Sequence, residues 1–170
     1  MKLPKVMTLA DLSKQVRALQ KKGQKVVFTN GCFDLIHVGH VRYLSAARAL
    51  GDALIIAVNA DRSVRALKGE QRPIVPQRER LEVLAALSCV DYLVLFTGKT
   101  PLRLINTLGP DILVKGGDWS LDDIVGRKEV EARGGKVVRI KVVQGASTTG
   151  LIDRILEKSL YTSPSGTGPT

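Results

Sequence analysis

Short apolar runs alternate with amphipathic stretches along most of the chain. Five runs of four to seven residues are almost entirely apolar and rich in Val, Ile and Leu, which is typical of strands buried on both faces. They cover residues 25–29, 53–59, 92–96, 112–115 and 136–140. Because an amphipathic stretch separates each run from the next, the pattern predicts strands that lie parallel in one sheet.

Helical periodicity fills the intervals. The first helix begins after Thr8, a good capping residue, and ends before Gly23. Further helices are predicted over residues 38–50, 77–87, 101–108, 122–133 and 148–160. The order predicts an α/β fold: a Rossmann-like five-stranded parallel sheet with helices on both faces, preceded by an N-terminal amphipathic helix.

The length of 170 residues suits one domain. We assign residues 1–160 to it and expect residues 161–170, which offer Ser, Gly, Thr and Pro without an apolar anchor, to form a disordered tail. The longest apolar run, residues 53–58, falls far short of the roughly 20 residues of a membrane span. No secretory signal is visible, so a cytoplasmic location is the default expectation.

The chain is basic, with 26 Lys and Arg against 16 Asp and Glu. Seven basic residues and one acidic residue place +6 of the +10 formal charge in the first 25 residues. The seven aromatic residues are not interleaved with these cations, so we expect no nucleic-acid partner and assign the N-terminal charges to solvated helix surface. A second subunit could pack on that basic helix, so a homo-oligomer is one expectation.

Chemistry concentrates in the turn between the first strand and the following helix. Both histidines of the chain, His37 and His40, lie there, and a spacing of three places their rings on one side of a first helical turn. Backbone N–H groups and the positive end of a helix dipole bind phosphate at such a position. The segment predicted to line this phosphate site is Thr29, Asn30, Gly31, Cys32 and Phe33.

The residues of the turn allow three other interpretations. Zinc would need further ligands, but the chain has no third histidine, and Cys32 and Asp34 do not complete a zinc spacing. The histidines could instead have a purely structural role, since helix starts attract polar side chains. Nucleophilic catalysis by Cys32 is a further alternative, although a small residue filling a tight turn explains it more simply.

Residues 31–40, GCFDLIHVGH, match the pattern GxFDxxHxGH at each defining position. In this the chain resembles the HxGH nucleotidyltransferases, a cytidylyltransferase-like family. Segments 58–65, 67–74, 110–119 and 147–149 are similar to one branch, the D-glycero-β-D-manno-heptose 1-phosphate adenylyltransferases that make ADP-heptose for lipopolysaccharide. The resemblance spans about residues 8–157, and a chain of this length is expected to be the form without a fused sugar kinase.

The resemblance implies transfer of AMP from ATP to a sugar 1-phosphate. His40 would stabilise the α-phosphate, His37 would hold the phosphates, and Lys68 would assist the leaving pyrophosphate. Asp34 and Lys68 would contact the sugar phosphate, and Mg²⁺ would arrive on ATP without a protein ligand that we can name. For the arginine that supports the triphosphate, the motif favours Arg78 over Arg80.

Two later segments are expected to complete the nucleotide site. Gly116 and Asp118 follow the fourth strand, at the ligand edge of a parallel sheet, and the resemblance implies that they hold the ribose. Ser147, Thr148 and Thr149 open the last helix, where an N-cap and a phosphate site can be the same atoms. The family usually has Ile where this chain has Ala146, a change that a backbone contact tolerates.

Two alternatives stay open at the level of sequence. A cytidylyltransferase acting on glycerol 3-phosphate or a related polyol phosphate shares the HxGH and Ser-Thr-Thr elements, and backbone atoms can recognise adenine without any particular side chain. A basic nucleic-acid-binding protein could use the same turn for backbone phosphates, and its affinity would then fall steeply with salt.

Overall fold

A computed structural model of the chain describes residues 3–117, 119–141, 145 and 147–161. Its sheet consists of β1 (Val26–Gly31), β2 (Ala53–Asn59), β3 (Tyr92–Phe96), β4 (Ile112–Gly116) and β5 (Lys136–Ile140). The strand order is β3-β2-β1-β4-β5, and all four neighbouring pairs are parallel. The predicted α/β, Rossmann-like sheet of five parallel strands is confirmed.

Helices connect these strands. They are α1 (Leu9–Lys21), α2 (Val38–Arg48), α3 (Asp61–Lys68), α4 (Gln77–Ala86), α5 (Leu102–Leu108), α6 (Arg127–Glu131) and α7 (Thr148–Tyr161). α1 begins as the sequence predicts, because the Thr8 side chain accepts a hydrogen bond from the backbone N–H of Asp11. α5 begins after Pro101, but no side chain caps it.

The core lies in two layers, one on each face of the sheet. Successive residues of a strand point to opposite faces. In β1, Phe28 therefore joins the layer built with α1, α5 and α6, whereas Val27 joins the layer built with α2 and α4. Because both faces are covered, the central strands are mostly apolar, and every residue of β2 is buried.

The structure contradicts the helix predicted over residues 122–133. Residues 122–133 do not form a continuous helix: a short 3-10 turn, Leu121–Asp123, is followed by extended backbone at Ile124 and by α6. The break lies at Gly126, whose φ of +90° belongs to the left-handed region. A Cβ there would come within 2.4 Å of a methyl carbon of Ile105, so the packing of α5 requires glycine.

The structure contains a short helix that the sequence pattern did not predict, α3, and Lys68 is its last residue, where the loop to α4 begins. This helix has only eight residues, no side-chain cap and two buried residues, Ser63 and Val64, so it is too short and too exposed to stand out in the sequence. Three predictions lie outside the described residues: the role of Asp118, the backbone contact at Ala146 and the disorder of the tail beyond residue 161. Within the described part of the chain, no helix is long and apolar enough to cross a membrane.

Candidate active site

The site lies at the carboxyl edge of the sheet, between β1 and β4. The chain passes from β1 to β2 on one side, while β4 and β5 extend the sheet on the other, so strand order reverses here. Open parallel sheets bind ligands at such a point. The side chain of Asn30, near the end of β1, accepts a hydrogen bond from the ammonium of Lys115 near the end of β4. This contact joins the two halves of the sheet at the reversal.

The turn that leaves β1 is tight. Phe33 has a φ of +48°, a left-handed conformation that costs a non-glycine residue free energy. Its ring lies so close to Gly31 that a Cβ on that glycine would approach it to 3.0 Å. The ring centroid of Phe33 also lies 5.4 Å from that of His40. Strain of this kind is typical of functional turns that are held by their surroundings.

His37 caps α2. Its Nδ1 accepts a hydrogen bond of 3.1 Å from the backbone N–H of Gly39. A neutral imidazole that accepts at Nδ1 carries its proton on Nε2, so the other nitrogen of His37 is a donor. Burial lowers the pKa of His37 and keeps the ring neutral at pH 7.

His40 lies one turn further along α2, and its ring centroid is 4.0 Å from that of His37. Burial and the neighbouring His37 lower the pKa of His40 to about 4. Its Nδ1 is buried and has no hydrogen-bond partner among the described residues. A buried polar atom without a partner is costly, and a bound ligand is one way to satisfy it.

Asp34 links the turn to the loop between α3 and α4. Its buried carboxylate accepts hydrogen bonds from the backbone N–H groups of Ile74 and Val75 and from Arg72 Nε at 2.6 Å. Burial alone would raise the pKa of Asp34, but the two N–H groups and Arg72 outweigh that effect and lower it. The carboxylate is therefore ionised and fixes the loop against the turn.

Lys68 lies close enough to the turn for its charge to act on Cys32. Burial raises the pKa of the Cys32 thiol, against the opposing effects of Lys68, Arg80 and Arg72. A protonated thiol is a poor nucleophile, so the geometry gives no support to covalent catalysis by Cys32. Lys68 itself is exposed at the end of α3.

The segment after β4 also faces this edge. Lys115 is only 8% exposed, and its ammonium lies 5.5 Å from the centre of the Trp119 ring. Gly116 ends β4 and accepts a hydrogen bond from the backbone N–H of Trp119. The next residue, Gly117, donates its N–H to the carbonyl of Ile140, so this turn is held against β5.

The start of α7 reaches the same turn. The Ser147 side chain accepts a hydrogen bond of 2.9 Å from the backbone N–H of Gly150, which makes it the cap of α7. Thr148 donates its hydroxyl to the carbonyl of Leu35, 113 positions earlier in the chain. Thr149 is exposed on the first turn. Two distant helix starts, those of α2 and α7, therefore lie together.

The remaining predicted residue, Arg78, is exposed on α4. Arg80, two positions further along, is completely buried and binds the carbonyl of Cys32. Thr29 is also buried, and its hydroxyl lies 2.8 Å from that of Tyr43.

Sequence reasoning did not name Tyr43 or Lys115 as site residues, and it named Arg80 only as the less favoured alternative to Arg78. A signal existed for the first two. Tyr43 follows His40 at a spacing of three, on the same face of α2. Lys115 is the one cation in the apolar run 112–115, and a lysine at the end of a buried strand is rarely left without a partner.

The assembled groups are ammonium and guanidinium cations, imidazole rings and backbone N–H donors, which suit phosphate oxygens. Among the residues that the structure describes, no three His, Cys, Asp or Glu side chains are grouped as metal ligands would be. A parallel sheet with these groups at its switch point defines a nucleotide-binding α/β enzyme.

The family model described as cytidylyltransferase-like matches residues 28–154. The chain belongs to this family of nucleotidyltransferases. The match begins in β1 and ends in α7, so it contains the turn after β1, the segment after β4 and the start of α7.

Curated relatives are similar over most of the chain. The chain is 57% identical over 152 residues to the bifunctional protein HldE of Citrifermentans bemidjiense and 54% identical over 153 residues to that of Geobacter sulfurreducens. The HldE protein of Cronobacter sakazakii is 53% identical over 154 residues. These matches cover 89–91% of this chain but only 31–32% of each relative, so the chain spans about a third of their length.

Two solved structures share the fold. The lipopolysaccharide core biosynthesis protein from Thermoplasma volcanium has a TM-score of 0.59 and 27% identity, and the match covers 73% of this chain and all of that one. The pantoate-beta-alanine ligase from Francisella tularensis, solved with an ATP compound and β-alanine, has a TM-score of 0.61. At 13% identity, over 89% of this chain and 78% of the ligase, that likeness shows the fold alone.

Proposed function

We propose that this chain transfers AMP from ATP to D-glycero-β-D-manno-heptose 1-phosphate, which gives ADP-heptose and pyrophosphate for lipopolysaccharide core synthesis. The observation that carries the proposal is the pair His37 and His40, packed together at the start of α2 on the switch point of the sheet. The choice of heptose draws on the resemblance to the adenylyltransferase branch and on the relatives named HldE.

The reaction needs positioning more than acid–base catalysis. An oxygen of the sugar phosphate attacks the α-phosphorus of ATP, and the bond to the bridging oxygen breaks as pyrophosphate leaves with the electron pair. The attacking oxygen is already anionic, so no strong base is required. A site of cations and N–H donors supplies orientation and neutralises the charge that develops on the phosphates.

Each predicted residue has a place in this scheme. The Nε2–H of His37 would hold the phosphates, and His40 would meet the α-phosphate, which gives its buried ring a partner. Lys68 would neutralise the departing pyrophosphate and, with Asp34, border the sugar phosphate. The proposed nucleotide contacts are Thr29, Asn30, Gly31, Cys32, Phe33, Arg78, Gly116, Asp118, Ser147, Thr148 and Thr149.

We expect Mg²⁺ to reach the site on ATP. Mg²⁺ keeps several of its waters and binds chiefly through phosphates in such sites, where it neutralises phosphate charge. The phosphate-binding groups described above are consistent with a metal that is carried by the nucleotide. Removal of Mg²⁺ with a chelator should therefore abolish turnover while leaving the thermal unfolding midpoint of the protein without nucleotide unchanged.

A pyrophosphate-release assay with four substrate pairs tests the proposal. ATP and CTP are each offered with heptose 1-phosphate and with glycerol 3-phosphate, and the His40→Ala protein gives the background. The highest kcat/KM is expected for ATP with heptose 1-phosphate. A preference for CTP with glycerol 3-phosphate would overturn the heptose assignment and favour the polyol cytidylyltransferase.

A further inference from the structure

Arg80 is a buried cation that the proposed reaction does not use. Its side chain is 0% exposed, and its guanidinium donates four hydrogen bonds within the chain. Nε binds the carbonyl of Val75 at 3.0 Å, and one terminal nitrogen binds the carbonyl of Cys32. The other terminal nitrogen binds the carbonyl of Asn59 at 2.7 Å and the carboxylate of Asp61 at 2.9 Å.

These acceptors belong to separate segments of the site. Cys32 lies in the turn that leads to the histidines, and Asp61 opens α3, the helix that ends at Lys68. Asp61 is fixed a second time, because it exchanges hydrogen bonds of 2.8 and 2.9 Å with Gln77 at the start of α4. The guanidinium of Arg80 therefore joins the histidine turn to the helix that carries Lys68.

An apolar side chain of similar volume could fill the space that the charged side chain of Arg80 occupies. A buried ion pair contributes little net stability compared with apolar residues of similar volume. A planar guanidinium can do what an apolar side chain and a lysine cannot, because it holds several acceptors at fixed angles in one plane. Since Arg80 is fully enclosed, it touches no substrate, and its effect must pass through the segments that it holds.

We propose that Arg80 is a positioning residue for nucleotidyl transfer. It fixes the separation between the turn bearing His37 and His40 and the ammonium of Lys68, so that the α-phosphate and the leaving pyrophosphate are met at the same time. A displacement of about 1 Å between such groups can cost about 10²-fold in rate. This inference rests on the proposed function.

A double-mutant cycle between Arg80 and Lys68 tests it. Arg80→Lys keeps the positive charge but loses the planar guanidinium that holds several acceptors at once. It should lower kcat at least about tenfold while KM for ATP changes less than about threefold. In the Lys68→Ala background the same change should cost less than about threefold, because the group it positions is gone. Equal losses in both backgrounds, or a wild-type kcat for Arg80→Lys, would overturn the proposal.

Two further variants separate positioning from stability. Val16→Ala creates a cavity in the layer on the opposite face of the sheet and should lower the unfolding midpoint with no change in kcat. Asp61→Asn weakens one hydrogen bond of Arg80 and leaves the buried guanidinium in the protein. This variant therefore replaces Arg80→Lys in the test if Arg80→Lys does not fold. It should reduce kcat in the same direction, and a kcat equal to that of wild type would contradict the proposal.

Hydrogen exchange gives a readout that does not depend on activity. In Arg80→Lys, amides of residues 31–40 and 61–68 should exchange faster, while those of α1 keep their protection. If the wild-type chain releases no pyrophosphate with any substrate pair, the proposed function fails. The hydrogen-exchange rates of residues 31–40 and 61–68 then test by themselves whether Arg80 holds these two segments. Unchanged exchange in both segments would then overturn the positioning role.

Discussion

The two faces of the sheet are packed by different means. On the face of α1, α5 and α6, the buried layer consists of apolar side chains such as Leu12, Val16 and Ile105. The face of α2 and α4 has a similar apolar layer around Leu44 and Leu84, but toward the carboxyl edge it also encloses the charges of Asp34 and Arg80. Apolar packing stabilises the face of α1, α5 and α6, whereas the face of α2 and α4 also contains buried charged groups that are held by hydrogen bonds.

The distribution of buried polar residues follows the same division. In the described part of the chain, Ser13 is the buried polar residue on α1, and six others lie toward the carboxyl edge of the sheet. These six are Thr29, Asp34, Asn59, Ser63, Arg80 and Lys115. Five of them lie in β1, β2 or β4 or in the segments that follow β1 and β2, and Arg80 reaches the same edge from α4 through the carbonyls of Cys32 and Asn59. Burial of polar groups costs free energy unless each finds a partner, so their concentration marks the edge where precise placement matters.

The largest effect on stability is expected from removal of the buried carboxylate of Asp34. Asp34→Ala leaves Arg72 and two backbone N–H groups without their acceptor and should lower the free energy of unfolding by about 3 kcal/mol or more. Urea denaturation at pH 7 measures the change. The control Asp153→Ala, at an exposed position on α7, should stay within about 0.5 kcal/mol of wild type. If the free energy of unfolding changed by a similar, small amount in both variants, the carboxylate of Asp34 would not stabilise the loop against the turn.

Removal of a histidine tests whether the same edge performs chemistry. His40→Ala should lower kcat by at least about 10²-fold, the effect of losing one preorganised donor at a developing charge. Steady-state pyrophosphate release measures it, and circular dichroism checks that the fold is intact. Near-normal turnover in a folded variant would remove His40 from the proposed mechanism.

The opposite face should respond in stability alone. Val16→Ala deletes two buried methyl groups from the α1 layer and should cost about 2 kcal/mol of unfolding free energy, while kcat stays within about twofold. Denaturation and turnover are measured on the same preparation. If kcat fell along with stability, the two faces would not be functionally distinct.

Near pH 7 the smallest expected effect is a pH dependence. Folding lowers the pKa of His40 from 6.5 to about 4, so between these values the unfolded chain binds a proton that the folded chain does not. Stability is therefore highest above pH 6.5 and falls as the pH drops, by at most about 1.4 kcal/mol per pH unit for one proton.

His40→Asn should flatten this part of the curve, measured by urea denaturation at several pH values between 7 and 4. His37→Asn is the matched control and should flatten it less, because the shift in the pKa of His37 is smaller. An unchanged slope in His40→Asn would mean that His40 is not buried as described.

Local patterns predicted much of the molecule and failed in identifiable places. The apolar run 53–59 became β2 with the same bounds, and Thr8 caps α1 as expected. The helix predicted over 122–133 is wrong because Gly126 has a left-handed φ of +90°, and the space for a Cβ there is taken by a methyl group of Ile105, 21 positions earlier in the chain. α3 was not predicted because it has only eight residues and no capping side chain, a run too short for a helical pattern to be distinguished from a polar loop.

The candidate site divides in the same way. The pairing of His37 with His40 follows from a spacing of three at a helix start, which any α-helix converts into neighbouring rings. The sequence also favoured Arg78 over Arg80 for the triphosphate. The two positions differ by about 200° around α4, and which of them faces inward depends on how that helix is rotated against the sheet.

The parallel sheet and the turn after β1 with its two histidines could be predicted from the sequence, because each depends on residues that are neighbours along a strand or a helix. The tertiary structure decided which distant groups meet there. Lys115 reaches Asn30 across 85 positions, and Arg80 reaches Cys32 across 48. Such contacts form only when strand order and helix rotation are fixed by the packing of the whole chain, so no local spacing encodes them.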